Sequence, residues 1–235
     1  MDVKQVLTEN KIWLRRASGQ HFLIDEEILD YEIRLANLNK EDIVLEIGAG
    51  VGNVTEKIAK KAHVIAIERD RRFVPLLEKI KNADIVNKDA LDVIKNIQFN
   101  KVIANIPYAI SQKILLELLK KKWDVAVIIV QKEFAQKLKK DKLALLLHDC
   151  VDVKIIGGIS AEAFYPRGAA SSIVVLKQKA LMDEKFWIFL NKAYRNRNKN
   201  ISNVFPECDD KIAKKKIHQL MLEELRSLYQ TVTAA

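Results

Sequence analysis

From Asp42 to Lys61 the chain passes without a break from an apolar run, through a glycine turn, into a helical pattern. Ile43-Val44-Leu45-Glu46-Ile47 reads as a strand buried on both faces, because such strands are nearly continuous in apolar residues. Gly48-Ala49-Gly50-Val51-Gly52 follows at once, and Asn53 to Lys61 is helical. Strand, glycine turn and helix together outline a phosphate- or nucleoside-binding unit. Glycines let the backbone approach a ligand closely, since no Cβ stands in the way. The dinucleotide fingerprint requires a third glycine where Asn53 stands. The spacing here is G-x-G-x-G, which argues against a pyrophosphate ligand. Glu46 is a carboxylate inside an apolar run. Burying it unpaired costs roughly several kcal/mol, so it is expected to accept hydrogen bonds from backbone or ligand.

The same alternation continues. His63 to Ile67, Asp84 to Val86, Phe99 to Ala104 and Asp124 to Val130 read as further strands. Helical stretches are expected at Arg69 to Lys81 (with Pro75 near its first turn), Ile110 to Lys122, Lys132 to Lys140 and Leu143 to Cys150. Val151 to Ile159 and Ser172 to Leu176 alternate enough for a closing pair of strands. Ahead of all these, residues 1 to 18 read as loosely ordered. Gln20 and His21 read as a polar loop, and Asp25 as the N-cap of a helix reaching about Leu38.

Open α/β sheets bind ligands at the strand tips, and four successive tips carry usable chemistry. The first has Gly48 and Gly50. The second has Glu68, 20 residues after Gly48, an acid placed to accept both hydroxyls of a ribose. The third has Asp89, a possible acceptor for an adenine amino group, with Leu91 to pack on the ring. The fourth is Asn105-Ile106-Pro107-Tyr108: an amide, a rigid proline and an aromatic ring, suited to work on the exocyclic amino group of a flat base. Together the tips fit a nucleoside with ribose and adenine but no diphosphate, and S-adenosylmethionine fits that description.

From about Lys179 the pattern is helical only, over Glu184 to Arg197, Lys199 to Phe205 and Asp209 to Tyr229. Residues 177 to 235 carry 12 Lys plus Arg against 7 Asp plus Glu, more than half of the chain's formal charge of +9. An excess of cations favours an anionic partner. Arg195-Asn196-Arg197-Asn198-Lys199-Asn200 interleaves cations with amides, as a phosphate-contacting surface does. A Lys-rich, Ile-rich, Gly-poor composition also fits a heat-adapted protein with solvated charge networks. Cys150 and Cys208 form neither a metal pattern nor a disulfide framework. No apolar run reaches the roughly 18 to 20 residues of a membrane span. The first residues lack a secretory pattern, so a cytoplasmic protein is expected.

With these residues in view, the chain resembles the rRNA adenine N6,N6-dimethyltransferases of the KsgA type. The likeness lies in Gly19-Gln20-His21-Phe22-Leu23, Val44 to Thr55, Glu68-Arg69-Asp70, Asp89-Ala90-Leu91 and Asn105-Ile106-Pro107-Tyr108 with Ile110-Ser111. It continues in Gln131-Lys132-Glu133-Phe134-Ala135, Phe164-Tyr165-Pro166 and Arg197-Asn198-Lys199. The resemblance implies a Rossmann-like class I methyltransferase, an α/β fold with a seven-stranded, mostly parallel sheet. It divides the chain into a methyltransferase domain, 1–178, and a small all-helical RNA-binding domain, 179–235. It implies S-adenosylmethionine as cofactor, S-adenosylhomocysteine as product, and no metal. His21, Leu23, Gly48, Gly50, Glu68, Asp89, Ala90 and Asn105 would hold the cofactor. Asn105, Pro107, Tyr108 and Phe164 would hold the adenine, flipped out of small-subunit rRNA or its precursor and given two methyl groups. Tyr108 would stack on the base and Phe164 would face its other side. A monomer is expected, with no membrane partner. Two other readings stand beside this one: a resistance-type large-subunit rRNA methyltransferase, and an assembly factor that binds RNA with weak activity. Three departures fall on the acceptor side, one of them the short C-terminal domain, 179–235. The segment after Leu138 is short, and Gly168-Ala169-Ala170 replaces the family's usual Pro-Lys.

Overall fold

A computed structural model describes residues 1–14, 20–106 and 108–234, with Tyr108 and Asp141 described in their backbone alone. The strands are β1 (Phe22–Leu23), β2 (Ile43–Ile47), β3 (His63–Ile67), β4 (Ala83–Val86), β5 (Lys101–Asn105), β6 (Val125–Gln131), β7 (Val151–Ile159), β8 (Phe164–Tyr165) and β9 (Ser171–Gln178). The helices are α1 (Val3–Glu9), α2 (Glu26–Ala36), α3 (Asn53–Ala59), α4 (Val74–Leu77), α5 (Ala90–Val93), α6 (Ser111–Leu119), α7 (Lys132–Lys137), α8 (Asp141–Cys150), α9 (Glu184–Arg195), α10 (Asp210–Ala213) and α11 (Leu222–Ala234).

Seven strands form one sheet in the order β4-β3-β2-β5-β6-β9-β7. The first five are mutually parallel, and β9 runs antiparallel to both β6 and β7. This is the seven-stranded, mostly parallel sheet that the family resemblance implies. The parallel strands place the ends of β4, β3, β2 and β5 along one edge. Period-two alternation divides the strand residues between two apolar clusters. Leu45, Ile47, Val102 and Ala104 face one; Val44, Val64, Ala66 and Ile103 face the other. The first cluster also takes in Phe186, Phe189 and Leu190 of α9 and Leu225 and Leu228 of α11. The C-terminal helices therefore pack into the same apolar layer as one face of the sheet.

Four local expectations differ from what is found. Residues 1–14 are not loose: Asp2 caps α1 by accepting from the N–H groups of Lys4 and Gln5. Val3, Leu7 and Ile12 are buried in the second cluster. Between Arg69 and Lys81 only one turn is α-helical, α4, with Pro75 in it. The chain before it is a turn, closed by Asp70 accepting from Arg72 N–H. Lys199 to Phe205 holds only a 3₁₀ turn, Ile201–Asn203, and the expected helix from Asp209 is broken into α10, a 3₁₀ turn and α11. The bridge between Asn200 and Lys216 draws the chain out of helical geometry there. Finally, β1 and β8 form a second, two-stranded antiparallel sheet that pairs Phe22 with Tyr165 and Leu23 with Phe164.

Candidate active site

A cavity of about 770 Å³ opens along the edge where β4, β3, β2 and β5 end. Its wall includes Gly48, Gly50, Glu68, Asp89, Ala90 and Asn105, so the fold brings these sequence candidates to one place. His21 and Leu23 line it from the segment that carries β1.

Glu68 is 8% exposed. Its Oε2 accepts from Gly50 N–H at 2.9 Å and its Oε1 from Asp70 N–H at 2.7 Å. Burial pushes its pKa up, and the two backbone N–H groups pull against that rise. The carboxylate is thus fixed in orientation while its remaining lone pairs can accept from a ligand diol. The next tip differs from its simplest reading. Asp89 caps α5 by accepting from Leu91 N–H at 3.0 Å, and its other oxygen meets Arg69 Nη1 at 3.3 Å. Asp89 thus holds the turn beside Ala90 as well as facing the cavity.

Glycine at position 50 answers to a side chain rather than only to a ligand. A Cβ there would lie 2.5 Å from Cε1 of Phe22, and φ is +56°. Phe22 in turn meets Phe73 edge-on, with ring centroids 5.6 Å apart. The glycine turn and the β1 segment are therefore packed into each other.

That segment is tied down at several points. Asn53, the residue that interrupts the dinucleotide fingerprint, donates through Nδ2 to the carbonyl of Leu23 at 2.6 Å. Asn105 donates through Nδ2 to the carbonyl of His21 at 3.2 Å. Gln20 donates to Asp70 at 3.0 Å, and His21 Nδ1 lies 3.0 Å from the carbonyl of Pro166. Asp70 is held well below the usual carboxylate range, chiefly by its hydrogen bonds to the Arg72 guanidinium. A two-residue strand cannot hold its own position, and these side chains supply what the strand lacks. The sequence carried one sign of this, the asparagine where a glycine was wanted.

For Asn105 the consequence is chemical. With Nδ2 turned to His21, the amide presents Oδ1 as the end able to accept from a donor in the cavity. Pro107 lies outside the described residues, as does Gly19. Tyr108 opens a 3₁₀ turn, Tyr108–Ile110, directly after β5. Phe164 is 3% exposed, sits in β8 opposite Leu23, and does not line the cavity among the described residues. Gly168 accounts for part of the unusual Gly168-Ala169-Ala170 stretch. A Cβ at 168 would lie 3.2 to 3.3 Å from Phe164 Cβ, Cγ and Cδ2.

Two acids remain. Glu46 is 3% exposed and its Oε2 has no hydrogen-bond partner among the described residues. Of the two expected kinds of partner, backbone or ligand, no backbone N–H among the described residues reaches that oxygen. Burial pushes its pKa up to about 8; the nearby Thr55 hydroxyl opposes the rise, although it makes no hydrogen bond of ordinary geometry. Glu32 of α2, which sequence reasoning passed over, is 1% exposed and lines the cavity. Burial, and then the charge of Glu46, push it to about 8 as well. Among the described residues no group of three or more His, Cys, Asp or Glu is placed to hold a metal, and no helix is long and apolar enough to cross a membrane.

Residues 13–233 match the family model described as ribosomal RNA adenine dimethylase. A Pyrococcus abyssi protein named "Probable ribosomal RNA small subunit methyltransferase A" is 35% identical over 205 residues, 80% of this chain and 74% of that one. A Methanopyrus kandleri protein of the same name is 38% identical over 173 residues, 68% of this chain and 62% of that one. Among solved structures, a dimethyladenosine transferase from Plasmodium falciparum superposes with a TM-score of 0.76 at 24% identity, covering 88% of this chain and 95% of that one. That likeness speaks to the fold, and the match over 13–233 speaks to descent: the chain belongs to the ribosomal RNA adenine dimethylase family of methyltransferases.

Proposed function

We propose that the protein transfers methyl groups from S-adenosylmethionine to the N6 amino groups of adenines in small-subunit rRNA. The observation that carries this is the orientation of Asn105, whose Nδ2 is committed to His21 at the tip of β5. A carbonyl oxygen aimed from that tip suits a substrate amino group.

The cavity residues fit the donor. Glu68 presents a fixed carboxylate to a diol. Gln20 Oε1 and Glu32 Oε1 are buried acceptors without partners among the described residues, in the wall of the cavity. When bound, S-adenosylmethionine supplies an electrophilic methyl on a sulfonium. The chain's part is orientation and electrostatics. The adenine amino lone pair is delocalised into the ring. Accepting an amino hydrogen at Asn105 Oδ1, and another at the Ile106 or Pro107 carbonyl, would hold that nitrogen pyramidal with its lone pair forward. No strong base is needed, because the nitrogen becomes acidic only after it has gained the methyl. Stacking on Tyr108 would repay the few kcal/mol of unstacking the base.

The 179–235 helices would serve as the RNA-binding part. Arg195, Arg197 and Lys199 are exposed at the end of α9 and just beyond it. A monomer acting in the cytoplasm belongs to the same proposal.

The test is mass spectrometry of rRNA after incubating immature small subunits with the protein and S-adenosylmethionine. Dimethyladenine in small-subunit rRNA is expected. Methylation confined to large-subunit rRNA would favour the resistance-type reading. Binding without methyl transfer would favour an assembly factor. Asn105→Ala should still bind S-adenosylhomocysteine, with a loss of affinity far smaller than the fall in turnover of about 100-fold, roughly 3 kcal/mol of transition-state stabilisation. Unchanged turnover would remove Asn105 from the mechanism.

A further inference from the structure

Among the described residues, Trp13 is the most exposed of the large apolar side chains, at 80%. The other two tryptophans are engaged. Trp123 is buried and its indole N–H donates to the carbonyl of Leu118, while Lys142 lies over the ring of Trp187. The indole of Trp13 has no hydrogen-bond, ring or cation partner among the described residues. Tryptophan is ordinarily a well-buried side chain, and it is enriched where surfaces meet partners. Single exposed apolar side chains are common. What sets this one apart is that it is held.

The backbone that carries Trp13 is fixed on both sides. Ile12 is buried, and its N–H donates to the Leu7 carbonyl of α1 at 2.9 Å. Leu14 packs against the same apolar cluster as Ile12. Arg72 Nη1 donates to the Trp13 carbonyl at 2.7 Å. With both neighbours turned inward, the ring of Trp13 is turned out. Arg72 also fixes where that ring stands. Its guanidinium bonds to Asp70, Asp70 accepts from Gln20, and all three line the cavity. Trp13 therefore stands on the rim of the cavity, one hydrogen bond back from its wall.

The same rim is cationic. Arg69, Arg71, Arg72 and Lys88 line the cavity, and Arg71 and Lys88 are exposed and make no ion pair among the described residues. Arg15 and Arg16 follow Trp13-Leu14 in sequence. A flat ring held in water beside unpaired cations suits single-stranded nucleic acid, because the cations take phosphates and the ring takes a base. An apolar protein surface has less to gain, since Ile12 and Leu14 are packed inward. We propose that Trp13 stacks on an unpaired base of the RNA substrate, other than the adenine that enters the cavity, and steadies the strand at the mouth. This rests on RNA being the methyl acceptor. Trp13 acts through substrate binding, since it is not in the cavity wall.

The experiment follows methylation of immature small subunits by wild type, Trp13→Ala, Trp13→Leu and Trp13→Phe. Stacking of one base predicts a KM for subunits raised about 5- to 100-fold in Trp13→Ala, with S-adenosylhomocysteine affinity and Tm unchanged. The contact is the same in ground and transition states, so kcat should stay within about twofold. Trp13→Phe should keep most of the affinity and Trp13→Leu should behave as Trp13→Ala does, since stacking needs a π-face. Protein-free small-subunit RNA should also quench the fluorescence of Trp13, read as the difference between wild type and Trp13→Phe. An unchanged KM in Trp13→Ala, or absent quenching, overturns the proposal. So does Trp13→Leu performing as well as Trp13→Phe, which marks an apolar protein contact, or a lowered Tm, which marks a ring packed in the fold. Quenching needs no turnover. A wild type that is quenched by RNA yet methylates nothing would therefore support the stacking while overturning the functional reading, a distinct result.

Discussion

Single side chains in this protein serve the fold and the site together. Asn105 holds the carbonyl of His21 and so aims its own oxygen, and Glu68 is oriented by the N–H groups of Gly50 and Asp70. Glu32 and Glu46 are different, since burial raises both to about 8 from an ordinary value of 4.5. Between those two pH values the folded chain holds protons that the unfolded chain has lost. Stability therefore falls as pH rises from about 5 to 8, by at most about 1.4 kcal/mol per pH unit for each group. Scanning calorimetry across that window should show Glu32→Gln gaining on the wild type in Tm as pH increases. A Tm difference independent of pH would mean that Glu32 titrates normally.

Among the elements, β1 has the least stability of its own. Its two residues pair with β8, and the flanking chain is held by Asn53, Asn105, Gln20 and His21. Asn53→Ala deletes the bond to Leu23 and leaves a buried carbonyl unpaired. The expected cost is about 1–2 kcal/mol, a fall in Tm of roughly 2–8 °C for a chain of this size. Hydrogen exchange should quicken at residues 20–24 before it does in the central strands, because β1 opens locally. Exchange that stayed uniform would show that the pairing with β8 suffices without Asn53. The short α4 has a local cause: Pro75 and the Asp70 turn leave room for one helical turn.

At the scale of the whole molecule, the chain combines one sheet edge rich in hydrogen-bonding groups with an excess of cations, +9 overall. The C-terminal helices bury their apolar residues against the sheet and leave Arg195, Arg197 and Lys199 outside. RNA binding should weaken steeply with salt, by about 0.7 to 0.9 in log–log slope for each phosphate contact. Replacing Arg197 and Lys199 together by Ala should lower the slope by roughly 1.4 to 1.8, measured by filter binding to small-subunit RNA. An unchanged slope would place the phosphate contacts elsewhere.

Much of this was legible in the sequence, for a definite reason. Strand runs, the glycine turn after β2, the Asp25 cap and the candidates at four strand tips are properties of neighbouring residues, and a parallel sheet must line such tips along one edge. The amphipathic pattern likewise marked helices in the tail, although not where they break. What the tertiary structure decided are meetings between residues distant in the chain. Phe22 against Gly50, Leu23 against Phe164, Asn53 against the Leu23 carbonyl and Glu32 near Glu46 leave no periodic trace. Glu46 stood out as a charge in an apolar run. Only packing α2 against the sheet made it one of a pair and put its partner in the wall of the cavity.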